Sequence, residues 1–262
     1  MATRIQLCGK VVVEVDGRRL EGYLPGRQGH LVLAYLAASR HRLIGRDELI
    51  DALWPYEAPA DPAAALTVVL SKLRAVLGSK AIEGRSELRL SMLNAWVDLE
   101  AVQEAIHRAE TAVSRADWAG AWGPGRVALH ISRRAFLAGH DAPWIAEQRR
   151  VLGEIELRAL RCVGETGLGL GGAELTTAER AARGMVSVSP FRETGYRLLM
   201  RALAEQGDNS EALRVYDELR TRLRDELGAT PSRNIQELHR DLLRDRGRGR
   251  LDAADKVPER SV

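Results

Sequence analysis

The residues with the most specific chemistry lie in "TVVLSKLRAVLG", positions 67–78. Wound at about 100° per residue, this stretch gathers Leu66, Val69, Leu70, Leu73, Val76 and Leu77 on one side. The other side presents Ser71, Lys72 and Ala75, flanked by Thr67 and Arg74, with Val68 bare in the middle. Such a face suits reading duplex DNA. Val68 and the Thr67 methyl match a thymine C5-methyl, and Ser71 and Lys72 can reach a base edge or a phosphate. Arg74 at the flank suits a phosphate, as do Arg46 before this helix and Arg85 and Arg89 after it.

The elements that must hold these side chains follow from the flanking pattern. "RIQLCGKVVVEVDGRRL" alternates around Asp16-Gly17, a hairpin signal, and predicts two or three short antiparallel strands. "GRQGHLVLAYLAASR" (26–40) and "GRDELIDALWP" (45–55) have helical apolar spacing, with Pro55 stopping the second. "DPAAALTVVLSKLRAVLG" opens with Asp61 as N-cap and Pro62 at the first helical position, and Gly78 closes it. "AIEGRSELRLSMLNAWVD" (81–98) alternates again, around Gly84-Arg85-Ser86. Strands, three helices and a hairpin spell a winged helix-turn-helix, a fold that sends its third helix into the major groove.

The chain resembles the antibiotic regulatory proteins of actinobacteria, an OmpR-type winged helix fused to a bacterial transcriptional activator domain. The resemblance spans residues 1 to about 245. It rests on "GRQGHLVLAYLAAS", "RDELIDALWP", "ALTVVLSKLRAVLG", "SPFRETGYRLLMRALAEQGDNSEALRVYDELRTRLRDELG" and "TPSRNIQELHRDLL". It implies a cytoplasmic regulator of antibiotic biosynthesis that binds direct repeats in double-stranded promoter DNA. It also implies self-association on that DNA and contact with RNA polymerase, its sigma factor and other subunits, through both domains. No phospho-receiver pattern precedes the first strand, so control by phosphorylation of the two-component type is not expected.

The second half reads as helices throughout. "VDLEAVQEAIHRAETAVSRAD" and "APWIAEQRRVLGEIELRALRCVGETGLGL" are long amphipathic patterns. Paired segments follow, and the helix-opening glycines Gly172 and Gly207 fall near the tetratricopeptide period of about 34 residues. Such pairs stack into a curved array that offers a concave surface to partners. The expected fold class is therefore mostly α with small β. A winged-helix domain (1–96) precedes a tetratricopeptide-like activator domain (97–245), and a loose basic tail (246–262) follows, with Arg246, Arg248 and Arg250 in it and Arg244 just before.

Other constellations point away from catalysis. Gly167, Gly169 and Gly172 form G-x-G-x-x-G, but a long helix rather than a strand precedes them, so an inter-helix turn is expected and no nucleotide site. His130 and His140 lack ligand-spaced partners, and no metal or cofactor is expected. Cys8 and Cys162 fit no redox or metal spacing. Trp118, Trp122 and Trp144 read as packing anchors of the second domain. The chain is not expected to be an enzyme.

Composition agrees. The longest apolar run, "LVLAYLAA", is too short to span a bilayer, and no secretory signal is legible. Residues 1–96 hold 13 Lys/Arg against 10 Asp/Glu, whereas 97–262 hold 26 of each, so the whole excess charge of +3 sits beside the proposed DNA helix. The competing expectation is an interaction adaptor with a degenerate winged helix. It draws on Ala63, Ala64 and Thr67, where the family commonly has Arg, Asn and Gln, and on "SELRL" in place of a Gly-rich wing with Tyr-Arg.

Overall fold

The computed structural model describes residues 3–92 and 94–254, the last ten of them as backbone. The chain is mostly helical with a few short strands, and it divides into two compact units. Residues 1–105 with 127–156 form one, and 106–126 with 157–262 form the other.

In the first unit, β1 (Thr3–Gln6) pairs antiparallel with β2 (Val12–Val15), and β2 with β3 (Arg18–Arg19). The link between β2 and β3 is Asp16-Gly17, both at positive φ, the two-residue turn that suits the right-handed twist of a hairpin. Three helices follow: α1 (Gly26–Ala38), α2 (Arg46–Leu53) and α3 (Pro62–Leu77). Short β4 (Ile44–Gly45) joins β5 (Ile82–Glu83) and β6 (Glu87–Leu90) in a second sheet of order β4-β6-β5. Leu31, Val32, Leu33 and Leu36 of α1, Leu49 of α2, and Leu66, Leu70 and Leu73 of α3 are all buried. With Ile44, Ile82 and Leu88 they supply the apolar layer that fixes α3.

The expected strand pattern at 81–98 holds for half its length. β5 and β6 form the hairpin, but β7 (Ala95–Val97) leaves it and pairs in parallel with β1, giving a first sheet of order β3-β2-β1-β7. Ala95 and Val97 point into the core beside Ile5, which draws the strand to that sheet. The segment after α5 (Trp118–Ser132) also returns to the first unit: Cys8 bridges Phe136, and Leu137 N–H donates to Leu7 C=O at 3.0 Å. Trp144 therefore anchors this unit rather than the second. Its indole N–H donates to Ala52 C=O at 3.0 Å, and its ring meets Tyr35 and Phe136 edge-on.

The second unit is helical. It takes part of α4 (Asp98–Ser114), α5 and α6 (Pro143–Leu170), then α7 (Leu175–Val188), α8 (Glu193–Glu205), α9 (Asn209–Leu227) and α10 (Arg233–Ala254). Asp208 caps α9 by accepting from Glu211 N–H, and Gly228 ends it in the left-handed conformation. α10 continues to Ala254, so the backbone of 246–254 is helical where an irregular tail is expected, and 255–262 lie outside the described residues.

The glycine pattern at 167–172 differs from expectation. Gly167 and Gly169 lie inside α6, and only Gly171 and Gly172 have positive φ. A Cβ on Gly169 would sit 2.3 Å from the Trp118 ring, and one on Gly167 would sit 2.8 Å from Glu174 C=O. These two are glycine because neighbouring groups approach the helix closely, not because a loop must turn.

Candidate nucleic-acid interface

α3 begins as its sequence dictates. Asp61 accepts from Ala64 N–H at 2.9 Å, and Pro62 takes the first-turn position that needs no donor. With the leucine stripe buried, Thr67, Ser71 and Lys72 face outward and Val68 is 52% exposed. The face expected from the periodicity is the face the helix presents.

The surrounding arginines separate into two groups. The Arg46 guanidinium donates to Thr67 Oγ1 at 2.6 Å, to Ala63 C=O at 3.2 Å and to Arg85 C=O at 3.4 Å. It thus joins the start of α2, the first turns of α3 and the turn of the β5–β6 hairpin. Thr67 in turn donates to Ala63 C=O at 2.8 Å. Arg74 donates to Ile82 C=O at 3.0 Å and to Gly84 C=O at 2.9 Å, which ties the hairpin to the helix. Gly84 itself is obligatory, since a Cβ there would fall 1.7 Å from Glu87 C=O. Arg89 pairs with Glu83 at 3.1 Å on the surface, a contact of little net worth. Among the described residues, the side chains of Lys72 and Arg85 have no ion-pair partner.

Two supports were not legible in the sequence. Tyr35 of α1 donates to Glu48 of α2 at 2.6 Å, and Arg42 donates to the same carboxylate at 2.9 Å. The Arg42 hydrogen bond holds Glu48 below the usual carboxylate range. At the base of the unit, Asp98 accepts from Leu7 N–H at 2.8 Å and Cys8 N–H at 2.7 Å, and burial raises its carboxyl above the ordinary value. Glu48 belongs to a helix read as amphipathic, and Asp98 is the first residue of α4, so neither carries a local motif. Two aromatics are largely exposed, Tyr23 at 72% and Tyr56 at 78%, and neither carries a sequence signal of its own.

Cys162 is buried and its thiol is pushed up to about 11, and Cys8 is raised further by burial. His130 contacts Arg134, and His140 lies 6.1 Å from His30. Among the described residues, no group of three His, Cys, Asp or Glu is placed to hold a metal ion. No helix among them is long and apolar enough to cross a membrane.

Comparison with known proteins gives the chain's family. Residues 97–243 match the family model "bacterial transcriptional activator domain". The chain belongs to that family. The regulatory protein AfsR of Streptomyces coelicolor is 34% identical over 251 residues, covering 92% of this chain and 24% of that protein. The transcriptional regulatory protein EmbR of Mycobacterium tuberculosis is 28% identical, covering 91% of this chain and 62% of its own length. The chain thus spans about a quarter of the length of AfsR. A solved structure of Mycobacterium tuberculosis EmbR in complex with a low affinity phosphopeptide superposes with a TM-score of 0.80 at 23% identity, over 93% of this chain and 65% of that one. The likeness is one of fold.

Proposed function

We propose that residues 1–96 are a winged helix-turn-helix that reads double-stranded promoter DNA, with α3 in the major groove and the β5–β6 hairpin as the wing. The observation that carries this reading is the outward face of α3, where a half-exposed Val68 stands beside Ser71 and a Lys72 with no ion-pair partner among the described residues, on a helix whose other side is buried. Thr67 and Val68 meet the groove floor, Ser71 reaches a base edge, and Lys72, Arg85 and Arg89 lie along phosphates. Arg46 and Arg74 hold helix and hairpin in register, leaving their spare N–H groups for phosphate.

Residues 97–245 are, on this reading, a tetratricopeptide-like activator domain. α7 opens at Leu175 and α9 at Asn209, close to one repeat apart. The regulator is cytoplasmic, associates with a second copy on repeated sites and contacts RNA polymerase. It is not an enzyme, and 246–262 form a basic extension. A titration against promoter DNA at several salt concentrations tests the core of the proposal. Binding with a log–log salt slope of several units, and preference over random duplex, is expected.

A second reading, the adaptor with a degenerate DNA helix, draws on the engagement of Arg46 and Arg74 within the protein. It predicts no preference for any duplex and an unchanged salt slope in α3 variants.

A further inference from the structure

An open groove of about 780 Å³ runs along α3, from its outward face to the flank that carries Val69 and Val76. Its lining includes Val68, Lys72 and Val76 from the helix, and Tyr23, Trp54 and Pro59 from the segments around it. The size is that of a small-molecule site, roughly 300–1,000 Å³, and the lining is mostly carbon with a few polar groups, as such sites are. Lys72 is the one charged side chain lining it among the described residues, and it has no ion-pair partner there.

A duplex contact uses only part of this lining. Toward a sugar–phosphate backbone the lining offers one cation, Lys72, with the Gln28 amide as a further donor. A thymine methyl would touch Val68 but fill little of the volume. A flat ring with one negative group satisfies every part: aromatic and aliphatic carbon for the ring, and Lys72 Nζ for the charge.

We propose that this groove binds a small planar aromatic acid, its ring against Tyr23, Trp54 and Val68 and its anionic group at Lys72. A molecule seated there covers Val68 and Lys72, so it competes with DNA for α3. This competition rests on the DNA reading above; the binding site itself does not.

The test uses 1-anilinonaphthalene-8-sulfonate as the probe and the full chain, with near-ultraviolet circular dichroism confirming the fold of each variant. One probe should bind per chain. Lys72→Ala, which removes the charge, and Ala75→Glu, which places a carboxylate on an exposed groove position, should each weaken it by about tenfold. Lys80→Ala, outside the groove, should leave it unchanged. The uncharged analogue N-phenyl-1-naphthylamine should bind about tenfold more weakly than the sulfonate. Rising probe should raise the apparent Kd for promoter DNA linearly with its free concentration, doubling it when the probe is at its own Kd. Equal affinity in the parent and both groove variants, equal affinity for the uncharged analogue, or no probe binding overturns the site. If the parent binds no duplex in the absence of probe, the DNA reading and the competition fall, and the isotherms on free protein decide the site by themselves.

Discussion

Arg46 and Thr67 are joined by a 2.6 Å hydrogen bond, 21 residues apart in sequence, between the start of one helix and the exposed face of the next. Because the same guanidinium also reaches Ala63 C=O and Arg85 C=O, it sets the position of α3 relative to the hairpin. A fork of N–H donors is needed for this, and an ammonium does not supply one.

Arg46→Lys should therefore weaken promoter binding about three- to tenfold with the salt slope unchanged, since the charge remains and the bridge is lost. Thermal stability should fall by less than about 1 kcal/mol, the contacts being exposed. Binding isotherms at two salt concentrations check both statements. Parent-like binding would reduce the bridge to a surface contact.

Lys72 and Arg74 should behave differently although they stand two residues apart. Lys72→Ala should lower the magnitude of the salt slope by about 0.9 with little change in melting temperature. Arg74→Ala should cost stability, about 1–3 kcal/mol for two charge-assisted bonds to Ile82 and Gly84 carbonyls. Denaturant midpoints alongside the salt titrations separate the two effects. Identical behaviour of the two variants would contradict the assignment.

Val68→Ser should leave fold and salt slope intact and relax a preference for thymine at one position, by about 1 kcal/mol. Isotherms on base-substituted sites measure it. A uniform loss across all sites would mean that Val68 touches no base.

Asp98 makes a pH-dependent contribution whose sign is set by burial. Its folded pKa is raised above the unfolded value, so its contribution to stability is greatest in acid and is lost as pH rises through the folded pKa. The stability of the parent relative to Asp98→Asn should consequently increase as pH falls from neutral toward the ordinary carboxylate range. Melting temperatures of both chains across that window test it, and a pH-independent difference would show that the carboxyl does not titrate there. Asp98→Ala should cost more at every pH, about 1–3 kcal/mol for each backbone N–H of Leu7 and Cys8 left without an acceptor.

Gly169→Ala should destabilise the second unit by about 1–3 kcal/mol, because the added methyl must displace the Trp118 ring. The sequence pattern taken as a turn predicts only a slight effect. Chemical denaturation followed by tryptophan fluorescence distinguishes the two. A variant as stable as the parent would mean that the ring moves aside freely.

The features legible in the sequence are local ones. Asp61 and Pro62 start α3, the leucines at 66, 70, 73 and 77 choose its buried side, and Val68 is thereby turned outward, all within a few helical turns of chain. Asp16-Gly17 specifies its hairpin for the same reason, since the turn is decided by two residues. Tertiary structure decided what depends on distant partners. It occupied Arg74 with carbonyls of the hairpin while Lys72 has no ion-pair partner among the described residues, it carried β7 across to β1, and it placed Trp144 against Ala52 rather than in the helical unit. It also turned a glycine run that reads as a loop into the last turns of a helix, because Trp118 lies where a side chain at 169 would stand. Periodicity and capping act through neighbours three or four residues apart, whereas a donor's choice of acceptor or a strand's choice of edge is made by whichever group the fold brings within about 3 Å.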